Sequence, residues 1–417
     1  MTGAPASVAA LAAELHAFVQ LIDDDPAAEG SSPVAGWTVA VKDNMDVAGT
    51  VRTDGLRGPH PPAATADAEV VRRLRAAGAR IVAKANLEEL SFGATTQNAT
   101  WGACRNPWDR GRIPGGSSGG SAVAVAAGLV RVAVGTDTGG SLRNPAAFCG
   151  VTTLRPSHGL VPTLGVTPLS PSMDVVGPMA RSAAEVRAAL DVMAGAAPHP
   201  RPRSLAELTV GVPEGYFLDD LEPAVADGFG DLLGLLSAQG ARVVSVAGLR
   251  DVERVHEAMA ALQNSEAVRH LRPYWHDGRV SAGVRGRIEA GRGVTTEEIE
   301  NALGVAFAWR GQVGSVLGDV DVVAVPATPF VAPAADQGDL TLVSRRINRF
   351  TGCWSLTGLP VLGLPVSPSP TGLPVGAQLV GRGGADWALL AIGEAIQAVS
   401  DWHGRRPPGA LAAGAWS

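Results

Sequence analysis

Of the 34 lysines and arginines in the chain, only two are lysines, Lys42 and Lys84. An ammonium differs from a guanidinium in one chemically useful way: burial can strip its proton near neutral pH, whereas arginine stays charged. These two positions are where arginine is expected to fail, although a space too tight for a guanidinium would also retain a lysine. Two glycine-rich segments add serines to this pair: Pro114-Gly115-Gly116-Ser117-Ser118-Gly119-Gly120-Ser121 and Thr136-Asp137-Thr138-Gly139-Gly140-Ser141.

Three chemistries compete for the first segment. A phosphate cradle of the P-loop type needs a lysine directly after its glycines, and none follows here. A nucleophile elbow fits Gly115-x-Ser117-x-Gly119 on paper, but it needs a strand just before the serine. The stretch from Asn106 to Pro114 is polar and holds Pro107 and Pro114, so no strand is expected there. The third reading is an active-site loop that works with the second Gly-Gly-Ser. Paired glycines permit unusual backbone angles and close approach of a ligand. They also let neighbouring N–H groups converge on one oxyanion, where losing a single donor typically costs about 10²–10³ in rate. Either segment alone reads as an ordinary tight loop; the two together with a retained lysine do not.

The elements that position these residues can be read around them. Residues 7–22 predict a helix and Trp37–Val41 a strand that ends at Lys42. Val70, Val71, Leu74 and Ala77 share a helix face, and Ile81–Ala83 form the next strand. Ser121–Gly128 reads as a helix of small residues, and Val130, Val132 and Val134 as a strand running into the second glycine loop. Further strands are expected at 208–212, 241–246 and 320–325, with two between 359 and 380. Helices are expected at 219–239, 251–270, 296–317 and 386–399. Strand–helix–strand order favours a parallel sheet with helices outside. Residues 195–203 read as a surface linker, and no linker is long enough to separate independent domains.

Read in order, these blocks resemble the amidase signature family over nearly the whole chain. The match runs through VKDN at 41–44, AKANLEE at 83–89, NPWD at 106–109, GGSSGGSAVAVAAG at 115–128 and GTDTGGSLRNPAAFCG at 135–150. It continues through LRPSHG at 154–159, VPATP at 325–329 and GLPVGAQLVGR at 372–382. The resemblance implies an α/β amidase signature fold, with a large mixed central sheet flanked by helices on both faces. It implies one domain over 1–417, with a signature core at about 34–195 and the rest of the same fold at about 205–405.

The resemblance also assigns roles. Lys42 falls on the family's base, Ser117 on its bridging serine, which a cis peptide usually precedes, and Ser141 on its nucleophile. The amides of Thr138, Gly139, Gly140 and Ser141 would form the oxyanion hole, and Ser118, Asp137 and Arg143 would support the site. Ser91, Gly93 and Thr96 match positions that line acyl pockets, and Asn144 is placed to bond a substrate amide or carbonyl. Arg345, Arg346 and Arg349 lie where relatives carry specificity residues; a solvated helix face is the plainer reading. Lys84, Cys149 and His158 read as structural. Relative to the family, the segment before Val34 is reduced and the region from 250 to 300 is compact.

The expected activity is hydrolysis of a small-molecule carboxamide through an acyl-enzyme on Ser141, with no metal and no cofactor. The alternative is the glutaminase component of an amidotransferase, resembling the glutamyl-tRNA amidotransferase A subunit. A noncatalytic binder on the same scaffold would have no need of a buried lysine, and an α/β-hydrolase would depend on a downstream histidine.

Composition narrows the remaining classes. A net charge of −6 offers no basic field for nucleic acid. Three sparse cysteines without a CxxC and eight histidines without HExxH suggest neither a disulfide framework nor a zinc site. No apolar run reaches the ~18 residues of a membrane span, so a cytoplasmic protein is expected, as a homodimer or with a small partner subunit.

Overall fold

Alternation along two neighbouring strands shows how the layers form. In β2 (Thr38–Lys42), Val39 and Val41 point into one core; in β6 (Val132–Asp137), Val132 and Val134 join them. The intervening Ala40 and Ala133 face the other way, into a second core built on the helix Gly119–Ala126. Small residues on that face let the small-residue helix lie close to the sheet. At Gly120 even a methyl group would stand 2.4 Å from the Asn86 carbonyl.

The computed structural model describes residues 4–22, 32–196, 198, 204–275, 278–336, 338, 340–412 and 415–416. Its other strands are β1 (Phe18–Leu21), β3 (Arg80–Ala85), β4 (Gln97–Asn98), β5 (Gly102–Ala103), β7 (Thr152–Arg155) and β8 (Val175–Ala180). They continue with β9 (Thr209–Pro213), β10 (Arg242–Val246), β11 (Val322–Pro326), β12 (Val361–Pro365) and β13 (Gly376–Val380). The short pair β4–β5 stands apart, and the other 11 strands form one sheet in the order β1-β3-β2-β6-β8-β7-β12-β13-β11-β9-β10. Helices Glu69–Ala76, Ala183–Ala194, Pro223–Ala238 and Asp386–Ala398 pack on the valine face. Helices Val252–His270 and Thr296–Asp319 enclose a third core around Trp309, Phe350 and Trp354.

One expectation is corrected. The helix expected over 7–22 is the helix Ala6–Leu15 followed by β1. His16 adopts a left-handed conformation (φ 49°), and its N–H caps the helix end on Ala13 O. Strand–helix–strand order alone favours a parallel sheet, but the sheet is mixed, as the family resemblance implies: β2 runs parallel to β3 and β6, while β8 runs antiparallel to both β6 and β7. The chain from Pro156 to Asp174 contains no helix, so β8 folds straight back beside β7 rather than crossing over. The two strands at 361–365 and 376–380 likewise form an antiparallel pair. Among the described residues, no helix is long and apolar enough to cross a membrane.

Candidate active site

Lys42 closes β2 and is fully buried. By alternation it lies on the face of Ala40, which the helix Gly119–Ala126 covers. The loop leading into that helix carries Ser117, and Lys42 Nζ donates to Ser117 Oγ at 2.7 Å and to Thr136 Oγ1 at 2.8 Å. Both partners are neutral hydroxyls. Burial therefore dominates and lowers the lysine from 10.5 to about 7, although the carboxylates of Asp137 and Asp174 favour the charged form. Asn44, two residues on, donates to Thr136 Oγ1 at 3.2 Å and to Ser91 Oγ at 3.3 Å.

The first glycine loop is held from several sides. The Gly116–Ser117 peptide is cis. Ser118 Oγ donates to Thr136 O at 3.0 Å, and the Ser118 N–H donates to Ser141 O at 3.2 Å, which ties the two loops together. Glu88 N donates to Ser117 O at 3.0 Å. Thr96 is fully buried beneath the loop, where its hydroxyl donates to Gly115 O at 2.8 Å and accepts from Gly119 N at 3.1 Å. Its position is that of a buttress for the loop, outside the cavity wall.

Asp137, at the end of β6, organises the second loop. Its carboxylate accepts the amides of Gly140 (3.0 Å) and Leu142 (3.1 Å) and pairs with Arg143 and Arg155, all buried. Burial alone would raise this carboxyl, but the two guanidiniums hold it well below the usual carboxylate range. The Gly140 amide, one of the four expected at the oxyanion hole, thus donates to Asp137. The amides of Thr138, Gly139 and Ser141 find no acceptor among the described residues. Gly140 has φ +136°, and a Cβ there would lie 2.2 Å from Thr351 Oγ1, so the position admits glycine alone.

Half-buried Ser141 opens onto a cavity of about 1000 Å³, together with Thr138 and Gly139. Ser91 and Gly93 line it, as do Arg345, Arg346 and Arg349; Thr96 and Asn144 do not. The Asn144 amide donates to Asn348 Oδ1 at 2.6 Å, while its own Oδ1 is buried without a partner. Arg346 and Arg349 lie over the Phe330 and Tyr216 rings, and Arg349 also donates to Tyr216 O. Lys84 pairs with Asp43 at 2.8 Å and donates to Met45 O, an arrangement suited to holding the turn after Lys42. Cys149 is fully buried, and His158 is exposed with Nε2 against Pro171 O. Reading the sequence missed Thr136, Thr351 and Arg155. Thr136 lay in a recognised loop, but nothing in the sequence marked its hydroxyl as the second partner of Lys42.

A family model described as amidase matches residues 5–390. The A subunit of glutamyl-tRNA(Gln) amidotransferase from Roseiflexus sp. (strain RS-1) is 36% identical over 437 residues, covering 94% of this chain and 88% of the relative. A crystal structure of an amidase superposes with a TM-score of 0.83 at 35% identity, over 89% of this chain and 86% of the other. The structure of 6-aminohexanoate cyclic dimer hydrolase with its substrate gives 0.87 at 27% identity, over 97% and 94%.

Proposed function

Since this chain belongs to the amidase family, we propose that it breaks a carboxamide C–N bond through an acyl-enzyme on Ser141, with Ser117 and Lys42 as the proton relay. The observation that carries this reading is the fully buried Lys42 amine, lowered to about 7 and bonded to Ser117. A serine hydroxyl becomes a useful nucleophile only when a base takes its proton. Neutral Lys42 accepts the Ser117 proton as Ser117 accepts that of Ser141, and Ser141 Oγ attacks the amide carbonyl. The unpaired amides of Thr138, Gly139 and Ser141 receive the oxyanion. The proton returns along the relay to the departing nitrogen, and water then releases the acyl group. This is a serine–lysine form of triad logic.

Two readings of the amide rest on separate observations. A stand-alone hydrolase of small carboxamides is supported by the likeness to the amidase and cyclic-dimer hydrolase structures. The glutaminase component of an amidotransferase is supported more strongly, by relatives from several organisms that are named as the A subunit of glutamyl-tRNA(Gln) amidotransferase. On that reading, glutamine turnover by the isolated chain is weak and rises with a partner subunit. On the first reading, the isolated chain turns over a simple amide at full rate.

The test is intact mass after incubation with a fluorophosphonate probe, alongside ammonia release from glutamine and from a panel of simple amides. Wild type is expected to gain one label, mapped to Ser141, and Ser141→Ala to lose both label and turnover while keeping its melting temperature. A label on Ser117, or turnover in Ser141→Ala, would overturn the mechanism.

A further inference from the structure

A second cavity lies at the opposite end of the strands that carry the site. Thr38, which opens β2, lines it, while Lys42 closes the same strand. At a rise of about 3.3 Å per residue the two are roughly 13 Å apart. Arg131 lines it just before β6, whose far end leads into the loop of Ser141. Its volume is about 420 Å³, within the usual range for small-molecule sites.

The charge in this cavity is one-sided. Among the described residues, Arg80, Arg131, Arg181 and Arg406 line it with a single carboxylate, Glu185. Arg131 pairs with Glu185 at 3.0 Å and lies 3.9 Å from the Trp37 ring centroid. Arg181 donates to the carbonyls of His403 and Arg405, and Arg406 to that of Leu411 at 2.9 Å. These carbonyls fix the guanidiniums in place without neutralising them. The Arg80 side chain has no hydrogen bond or ion pair among the described residues. Burial and the charge of Arg406 together bring Arg181 down to about 10. Among the described residues, four guanidiniums against one carboxylate thus face one concavity, in a chain whose net charge is −6. Concave walls focus such a field, and guanidiniums are suited to forked bonds with oxyanions. Val125, Val130 and the Trp416 indole supply an apolar wall.

We propose that this cavity is a binding site for a small organic oxyanion, phosphate or carboxylate, whose apolar body lies against that wall. The proposal is independent of the reaction assigned to Ser141.

Calorimetric titration tests it, with adenosine monophosphate as the phosphate probe and citrate as the carboxylate probe. Saturable one-to-one binding of at least one probe is expected, weakening as salt is raised. Arg80→Ser removes a charge but no internal bond, and is expected to weaken binding about tenfold with an unchanged melting temperature. Ser141→Ala and Arg345→Ser are expected to bind as wild type does. Absence of saturable binding by both probes at several millimolar would overturn the proposal, as would an affinity that Arg80→Ser leaves unchanged. Loss of binding in Arg345→Ser would also overturn it, because the anion would then occupy the Ser141 cavity. The Ser141→Ala control separates this result from any failure of the amidase mechanism.

Discussion

In the proposed mechanism one buried amine governs the proton chemistry, and its environment makes the pH dependence explicit. Only neutral Lys42 can accept a proton, so kcat/KM is expected to rise with pH through about 7. A rate profile flat from pH 6 to 9, with chemistry limiting, would remove lysine from the role of base. Lys42→Arg keeps a cation but cannot supply a neutral amine. A loss of about 10²–10⁴-fold in kcat is expected, measured on whichever amide proves to be turned over. The same burial links the residue to stability. Between about 7 and 10.5 the unfolded chain holds a proton that folded Lys42 lacks. Raising the pH through this window therefore favours the folded state, by up to about 4–5 kcal/mol. Lys42→Met loses that dependence, so the wild-type melting temperature should gain on the variant's between pH 7 and 10. Parallel melting curves across that range would show that the amine is charged in the fold.

The loop after β6 acts as a single element, and its two glycines differ. A methyl on Gly139 would meet the tip of Met259 at 2.7 Å, a flexible thioether that can move. A methyl on Gly140 would meet Thr351 Oγ1 at 2.2 Å and Asn144 Nδ2 at 2.7 Å, with a backbone angle that L-residues avoid. Gly140→Ala is expected to destabilise by about 1–3 kcal/mol and to lower turnover by displacing the amides of Gly139 and Ser141. Gly139→Ala should be milder in both respects. Thermal melts and kcat for the pair decide this, and equal effects would mean that the loop tolerates rearrangement.

Across the whole molecule, Asp137 joins parts of the chain far apart in sequence. Arg143, paired to Asp137, also donates to Thr351 O, Ser355 Oγ and Gln378 Oε1. Arg155 on β7 reaches Asp137 and Met173 O. The loop of Ser141 is thereby anchored to the C-terminal strands as well as to its own. Asp137→Asn leaves two buried guanidiniums without their shared carboxylate, at a cost of about 3–5 kcal/mol. A clear fall in melting temperature is expected by calorimetry. An unchanged value would show that the carbonyl partners of Arg143 and Arg155 suffice.

Lys42, Ser117 and Ser141 stood out as candidates in the sequence because each sits in a short block, a lysine kept at the end of a strand and serines framed by glycines, while their separate roles came from the resemblance to the family. The small residues of Ser121–Gly128 likewise marked a helix, but that it would lie on the Ala40 face of β2 came only from the structure. The direction of β8, the commitment of the Gly140 amide to Asp137 and the place of Thr96 beneath the loop were not legible. Alternation is the same for parallel and antiparallel strands, and an N–H has no sequence signature for the acceptor it finds. The lowered basicity of Lys42 needed tertiary structure most of all. It depends on the absence of an ion-pair partner at the amine in a buried place, and only packing creates such a place. Arg80, Arg131, Arg181 and Arg406 were equally invisible as a group, since the sheet brings the first three to one cavity and the segment after the last helix adds the fourth.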